Sequence, residues 1–246
     1  MSRAIRLMEV CAQPARAGSP CYGVVVLAVL GLLVMGSGCT SYIAPPAAGQ
    51  RWASVYLADY GKHTSVLFID QGKLTEYAFG DFNWFALNKN SPVDGIIALL
   101  FSPGSGLGRR QMEIPAADAN MAQYIRARRV IGFFAPGDRV EAVAKGLDEQ
   151  FRSHLDTVHY NPRIGLWFVR VGERYWLFHN CNHVTARWLR EMGCRVSGLT
   201  VTSDFRVREE AAGRATVWWG SKEGSASAPT LASAPGGGPG LGGQRP

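Results

Sequence analysis

The chain has little cysteine, no apolar run of the roughly 20 residues that a membrane-spanning helix requires, and only a modest excess of positive charge. Of five cysteines in 246 residues, Cys11, Cys21 and Cys39 fall in the N-terminal segment, which leaves Cys181 and Cys194 for the body of the protein. A helix between those two would hold them roughly 20 Å apart, whereas a disulfide needs Cα atoms within about 7 Å, so helix and disulfide exclude each other here. Lys and Arg number 26 against 19 Asp and Glu, a net charge of +7, and part of that surplus lies in the N-terminal segment. With no nucleic-acid-binding motif, this balance does not point to a nucleic-acid partner. Arg109, Arg110, Arg126, Arg128 and Arg129 form either a solvated face or a patch that attracts anionic polymers or lipid headgroups. The glycines of Pro103 to Gly108 fit neither phosphate-binding spacing, because Arg109 stands where the last glycine of a dinucleotide loop belongs; they read as a surface loop.

What the chain does have begins with an address. Residues 1–22 are basic, Tyr22 to Met35 is apolar, and Gly36-Ser37-Gly38-Cys39 follows, the layout of an export signal. The small residues before Cys39 resemble the lipobox of bacterial lipoproteins, which implies that Cys39 is lipidated and becomes the mature N-terminus; ordinary cleavage leaving Cys39 free is the alternative. Thr40 is not the aspartate associated with inner-membrane retention, so the resemblance implies the outer membrane, facing the periplasm. The expected division is a signal over 1–39, a linker over 40–51, one domain over 52–219, and a disordered Gly/Ala/Ser/Pro-rich tail over 220–246 that buries too little apolar surface to offset its ordering entropy.

Within the domain, alternation and turn chemistry predict strands from Arg51 to Ala58, His63 to Ile69 and Leu74 to Phe79, with a hairpin turn at Asp70-Gln71-Gly72-Lys73. Further strands are expected at Gln111 to Ile114, Leu166 to Val171, Arg174 to Phe178, Leu199 to Thr202 and Thr216 to Trp219. Helices are expected from Asp118 to about Arg129, from Gly137 to about His154 with Val140, Val143, Ala144, Leu147 and Phe151 on one face, and from Cys181 to Gly193. The fold class is α+β, an antiparallel sheet of about five or six strands with the Cys181 helix packed on it.

Cys181 sits at the mouth of that last helix. Asn180 is a good N-cap, and the unpaired N–H groups and dipole at a helix start favour a thiolate. Cys181, Val184, Trp188 and Met192 form one stripe, so the thiol looks inward; a small buried hydrophobe is the plain alternative. A two-residue turn at Gln71-Gly72 sets Leu67 opposite Glu76, which puts Glu76 and His63 on one sheet face, four residues apart along the strand. Asp81 falls on the opposite face. Tyr60 is a candidate oxyanion donor or an ordinary strand-end aromatic.

The segments Lys62-His63-Thr64-Ser65-Val66-Leu67-Phe68, Leu74-Thr75-Glu76-Tyr77 and Asn180-Cys181-Asn182-His183-Val184-Thr185 resemble, in that order, the circularly permuted branch of the papain-like NlpC-type superfamily. That branch includes the lecithin retinol acyltransferase-like proteins, and the overall likeness, over Trp52 to Ser203, is to bacterial lipoproteins of this type. The resemblance implies Cys181 as nucleophile, His63 as general base, Glu76 as the group that orients the imidazole with Asp81 as second candidate, and no cofactor. It further implies a thiol hydrolase or acyltransferase that acts on an amide or ester through a thioester, anchored to the membrane by its N-terminal lipid, with peptidoglycan peptides or lipid acyl groups as substrates. Two rivals stand beside it: a non-catalytic envelope lipoprotein on the same scaffold, and metal binding through His179, Cys181 and His183, which would share a face on an extended strand but not on a helix.

Overall fold

The computed structural model describes residues 40–49, 51–89, 102 and 104–220. Its centre is the expected hairpin. Gln71 and Gly72 both take positive φ, 50° and 74°, the two-residue turn geometry whose twist matches the strands it joins. It links β3 (Thr64–Asp70) to β4 (Lys73–Asp81) with Ile69 opposite Leu74 and Leu67 opposite Glu76. Because side chains alternate across a sheet, Thr64, Val66, Phe68, Tyr77 and Phe79 share one face, and Ser65, Leu67, Glu76 and Gly80 share the other.

Around this hairpin β2 (Trp52–Asp59), β5 (Ser105–Met112), β6 (Arg129–Pro136), β7 (His159–Asn161), β8 (Leu166–Val171) and β11 (Ala215–Trp219) complete an eight-stranded sheet in the order β11-β6-β2-β3-β4-β5-β8-β7. Every pairing in it is antiparallel. The first face carries α2 (Gly137–Arg152) and α3 (Cys181–Glu191); Val140, Leu147 and Phe151 of α2 and Val184, Trp188 and Leu189 of α3 join Val66, Phe68, Tyr77 and Phe79 in one core. The other face is covered in part by α1 (Met121–Tyr124), whose Met121 and Ala122 pack with Leu67, Leu74 and Val130. The class is α+β, mostly sheet.

Several expectations are corrected. The sheet has eight strands rather than five or six, and two of them, β6 and the short β7, are not among the expected strands. Arg129 opens β6 instead of closing a helix, and the expected helix from Asp118 shrinks to the single turn of α1, capped by Asn120. In β6 the alternation is broken by Gly132, which is there because Trp218 lies across it: a Cβ would stand 2.5 Å from that ring. Likewise two of the three glycines read as a surface loop, Gly106 and Gly108, belong to β5, where a Cβ on Gly108 would meet the Phe168 ring at 2.7 Å. The strand expected at Gln111 to Ile114 is the end of β5. Residues 174–178 are a tight turn and not a strand: Trp176 and His179 exchange backbone hydrogen bonds at 2.9 and 3.3 Å. The segment 40–51 is not a bare linker, since β1 (Ser41–Ala44) pairs with β9 (Arg195–Ser197) and β10 (Phe205–Val207) in a second, three-stranded sheet, and β9 and β10 stand in place of the strand expected over 199–202. Ile43 is fully buried in the main core. The signal segment and the tail after Gly220 lie outside the described residues.

Candidate active site

The start of α3 is built as the sequence implies. Asn180 is extended and its side-chain oxygen accepts from the backbone N–H groups of Asn182 and His183, at 3.0 and 3.2 Å. Its side-chain amide ties the helix start to the carbonyls of Leu177 (3.2 Å) and Val201 (3.1 Å). Thr64 Oγ1 lies 3.0 Å from Asn182 Oδ1 and 3.1 Å from Thr185 Oγ1, which seats α3 on the Thr64 face of the sheet.

Cys181 is therefore buried on that face. Its Sγ lies 3.6 Å from Asn182 Oδ1 and 4.0 Å from the Lys62 carbonyl, with the Thr64 backbone and the Tyr175 hydroxyl placed to favour its thiolate. Burial outweighs those partners and pushes the thiol up to about 11, so the helix start does not make it a thiolate at neutral pH. Cys194 is likewise buried, and both thiols are free.

His63 faces the other way. Continuing the β3–β4 register by two residues sets it opposite Gly80, which is covered by the Phe85 ring, 2.3 Å from where a Cβ would stand. The imidazole packs on that same ring at 4.6 Å between centroids and lies 6.4 Å from Tyr60. Its Nδ1 is buried without a hydrogen-bond partner. Burial lowers its pKa to about 4, against an opposing pull from the Glu76 charge, so the ring is neutral.

Glu76 is 1% exposed and fully engaged. It accepts from the Tyr60 hydroxyl at 2.7 Å, the Ser65 hydroxyl at 2.5 Å and Arg110 Nε at 2.5 Å, while Arg110 Nη2 also donates to the Tyr60 oxygen at 3.2 Å. Burial, with the Glu76 charge beside it, holds the Tyr60 phenol well above its ordinary range. Tyr60 thus serves the carboxylate rather than an oxyanion beside Cys181. Asp81 is on the helix face, as its register requires; it accepts from the Trp84 N–H at 2.7 Å and from the Ser102 hydroxyl, capping the π-helical turn Phe82–Ala86.

The structure thus gathers His63, Glu76 and Tyr60 on one face and Cys181 on the other, and no hydrogen bond joins thiol to imidazole. The expected thiol–imidazole contact is corrected on this point: α3 packs on even-numbered residues of β3, and His63 is odd. The two groups nonetheless lie along one stretch of backbone, since Sγ is 4.0 Å from the carbonyl of Lys62, the residue before His63, and the backbone of Thr64, the residue after it, favours the thiolate. Tyr175, buried beside the thiol, was not singled out by sequence; it lay inside a segment that reads as a strand and carries no motif. The metal reading finds no converging donors: His179 Nε2 bonds Glu173 Oε2 at 3.0 Å, His183 Nδ1 bonds Asn180 Oδ1 at 3.0 Å, and among the described residues no group of three His, Cys, Asp or Glu side chains could hold a metal ion. Cys39, the candidate lipid site, lies outside the described residues. No known protein-family model, curated protein or solved structure matches the chain.

Proposed function

We propose that the chain is a lipid-anchored envelope protein, held at the outer membrane and facing the periplasm, whose papain-like domain carries a thiol hydrolase or acyltransferase site in a resting arrangement. Cys181 is the nucleophile, His63 the base and Glu76 the anchor of the base's surroundings. The observation that carries this is the seating of the N-capped Cys181 thiol against the backbone on both sides of His63. For catalysis the imidazole must leave the Phe85 ring, and the backbone at Gly61–His63, which lies outside β3, must turn it toward the thiol.

The chemistry then runs through a thioester. The imidazole takes the thiol proton, sulfur bonds to the carbonyl carbon of an amide or ester, and the carbonyl oxygen becomes an oxyanion held by the Cys181 N–H and the Tyr175 hydroxyl. Collapse expels the amine or alcohol, which receives the proton from the imidazolium, and water or a second nucleophile releases the acyl group from sulfur. Peptidoglycan peptides and lipid acyl groups are the substrates such an address offers.

A second reading, a non-catalytic lipoprotein on this scaffold, draws on the separation of the two groups and on the raised thiol pKa. A thiol-reactive acyl probe distinguishes them. In the catalytic case labelling disappears in Cys181→Ala, and the labelling gained in Phe85→Ala falls about 100-fold when His63→Ala is added, within the usual contribution of a general base. Slow labelling at Cys181 that is indifferent to His63 supports the scaffold.

A further inference from the structure

The turn that leads into Cys181 carries an aromatic tip that the chemistry above does not use. Trp176 is 47% and Phe178 56% exposed, and their rings meet edge to face at 5.4 Å. The tip is rigid. Trp176 and His179 close it by two backbone hydrogen bonds, Asn180 binds the Leu177 carbonyl, and Glu173 clamps the turn to α3 through His179 (3.0 Å) and Arg187 (3.1 and 3.2 Å). A stiff turn that holds two large apolar rings in water is a surface made for a partner.

The position of the tip identifies the partner. Asn180 and Asn182 both bind the Val201 carbonyl, at 3.1 and 2.9 Å, so the 198–201 loop lies against the same end of the domain, where Leu199 is 64% exposed. That loop in turn holds the start of the domain: the Thr200 N–H donates to Ser41 Oγ at 3.0 Å, and a Cβ on Gly198 would stand 2.5 Å from the Thr40 carbonyl. Thr40 is the residue that follows Cys39. Trp176, Phe178 and Leu199 thus sit on turns linked through Asn180, Asn182, Val201 and Thr200 to the point where the N-terminal segment joins the domain, and Arg174, exposed in the same turn as Trp176, supplies a positive charge for lipid phosphate.

We infer that this end of the domain docks on the bilayer surface, with Trp176 and Phe178 in the interfacial zone of a phospholipid membrane. Aromatic rings favour that zone because one medium satisfies both their apolar body and their polar edge. Resting on the reading of Cys39 as the lipid site, the geometry leaves about one extended residue, roughly 3.5 Å, between the lipid and β1, so the domain lies on the membrane rather than away from it. The start of α3 is then turned toward lipid, and acyl chains become the substrate class nearest Cys181.

The test uses the full chain with vesicles of phosphatidylethanolamine and phosphatidylglycerol that carry brominated acyl chains, which quench tryptophan only at contact. The expected result is quenching that drops in Trp176→Phe and is retained in Trp219→Phe, an exposed tryptophan on β11. In the Cys39→Ala chain, where no lipid anchor holds the protein on the vesicle, paired replacement Trp176→Ser with Phe178→Ser should lower vesicle-bound protein roughly tenfold or more, with thermal unfolding unchanged. Quenching that is equal in wild type and Trp176→Phe overturns the proposal, as does a concentration-dependent dimer that shields Trp176 without vesicles. Cys39→Ala separates the anchor from the tip: if it leaves vesicle binding unchanged while Trp176 is still quenched, the lipoprotein reading fails and the docking surface stands.

Discussion

Arg110→Met is expected to lower the unfolding free energy by about 3–5 kcal/mol, the cost of leaving a buried charge without its partner. Glu76 is 1% exposed and in the middle of a sheet, where the carboxylate is held by Arg110, Tyr60 and Ser65. Methionine fills the volume of the arginine stem but supplies no charge, so the two hydroxyls alone must compensate a carboxylate out of water. The change reads directly as a shift in urea midpoint at constant slope. The double replacement Arg110→Met with Glu76→Gln should recover a large part of the loss, because the uncompensated charge is then gone. If Arg110→Met alone is neutral, the cluster is wetter than this arrangement implies.

The second large effect is on acid stability. His63 has a folded-state pKa near 4 where the free side chain has 6.5, so between those values the unfolded chain binds a proton that the folded protein refuses. Stability that is complete above pH 6.5 is therefore lost progressively as the pH falls toward 4 and is gone below it. The shift corresponds to at most about 3 kcal/mol, less to the extent that water reaches the half-buried ring. The difference in unfolding free energy between wild type and His63→Phe, measured from pH 7 to pH 4, isolates this one group from the carboxylates that titrate in the same range. A difference that grows in favour of the variant as the pH drops is the expected outcome; a flat difference means the imidazole is solvated.

The parts of the site fixed by local chemistry were readable from sequence. The Gln71-Gly72 turn gave the register, the register put His63 with Glu76 and Asp81 opposite them, and Asn180 and Gly193 bounded the helix at Cys181. Parity also contained the separation of His63 from the thiol, because residues 63 and 64 must point to opposite faces; what sequence lacked was which face α3 would choose, a matter of packing between Thr64, Asn182 and Thr185 more than a hundred positions apart. The glycines of β5 and β6 were opaque for a similar reason. Gly108 and Gly132 interrupt the pattern that marks a strand, and only the distant rings of Phe168 and Trp218 explain why glycine belongs there. Likewise, the Glu76 network draws on Arg110 from β5, whose pairing with β4 no local signal announces.

The Phe85 ring packs on the imidazole of His63, so its removal frees that side chain and addresses the central claim directly. The rate of Cys181 alkylation can be followed from pH 6 to pH 11 in wild type, Phe85→Ala, and Phe85→Ala combined with His63→Ala. If imidazole and thiol are a pair held apart, wild type keeps the steep rise toward the thiol's own value of about 11, Phe85→Ala gains a plateau of reactivity near neutral pH, and the added loss of His63 abolishes that gain. Identical profiles in all three proteins would contradict an acyl-transfer role for Cys181 and His63.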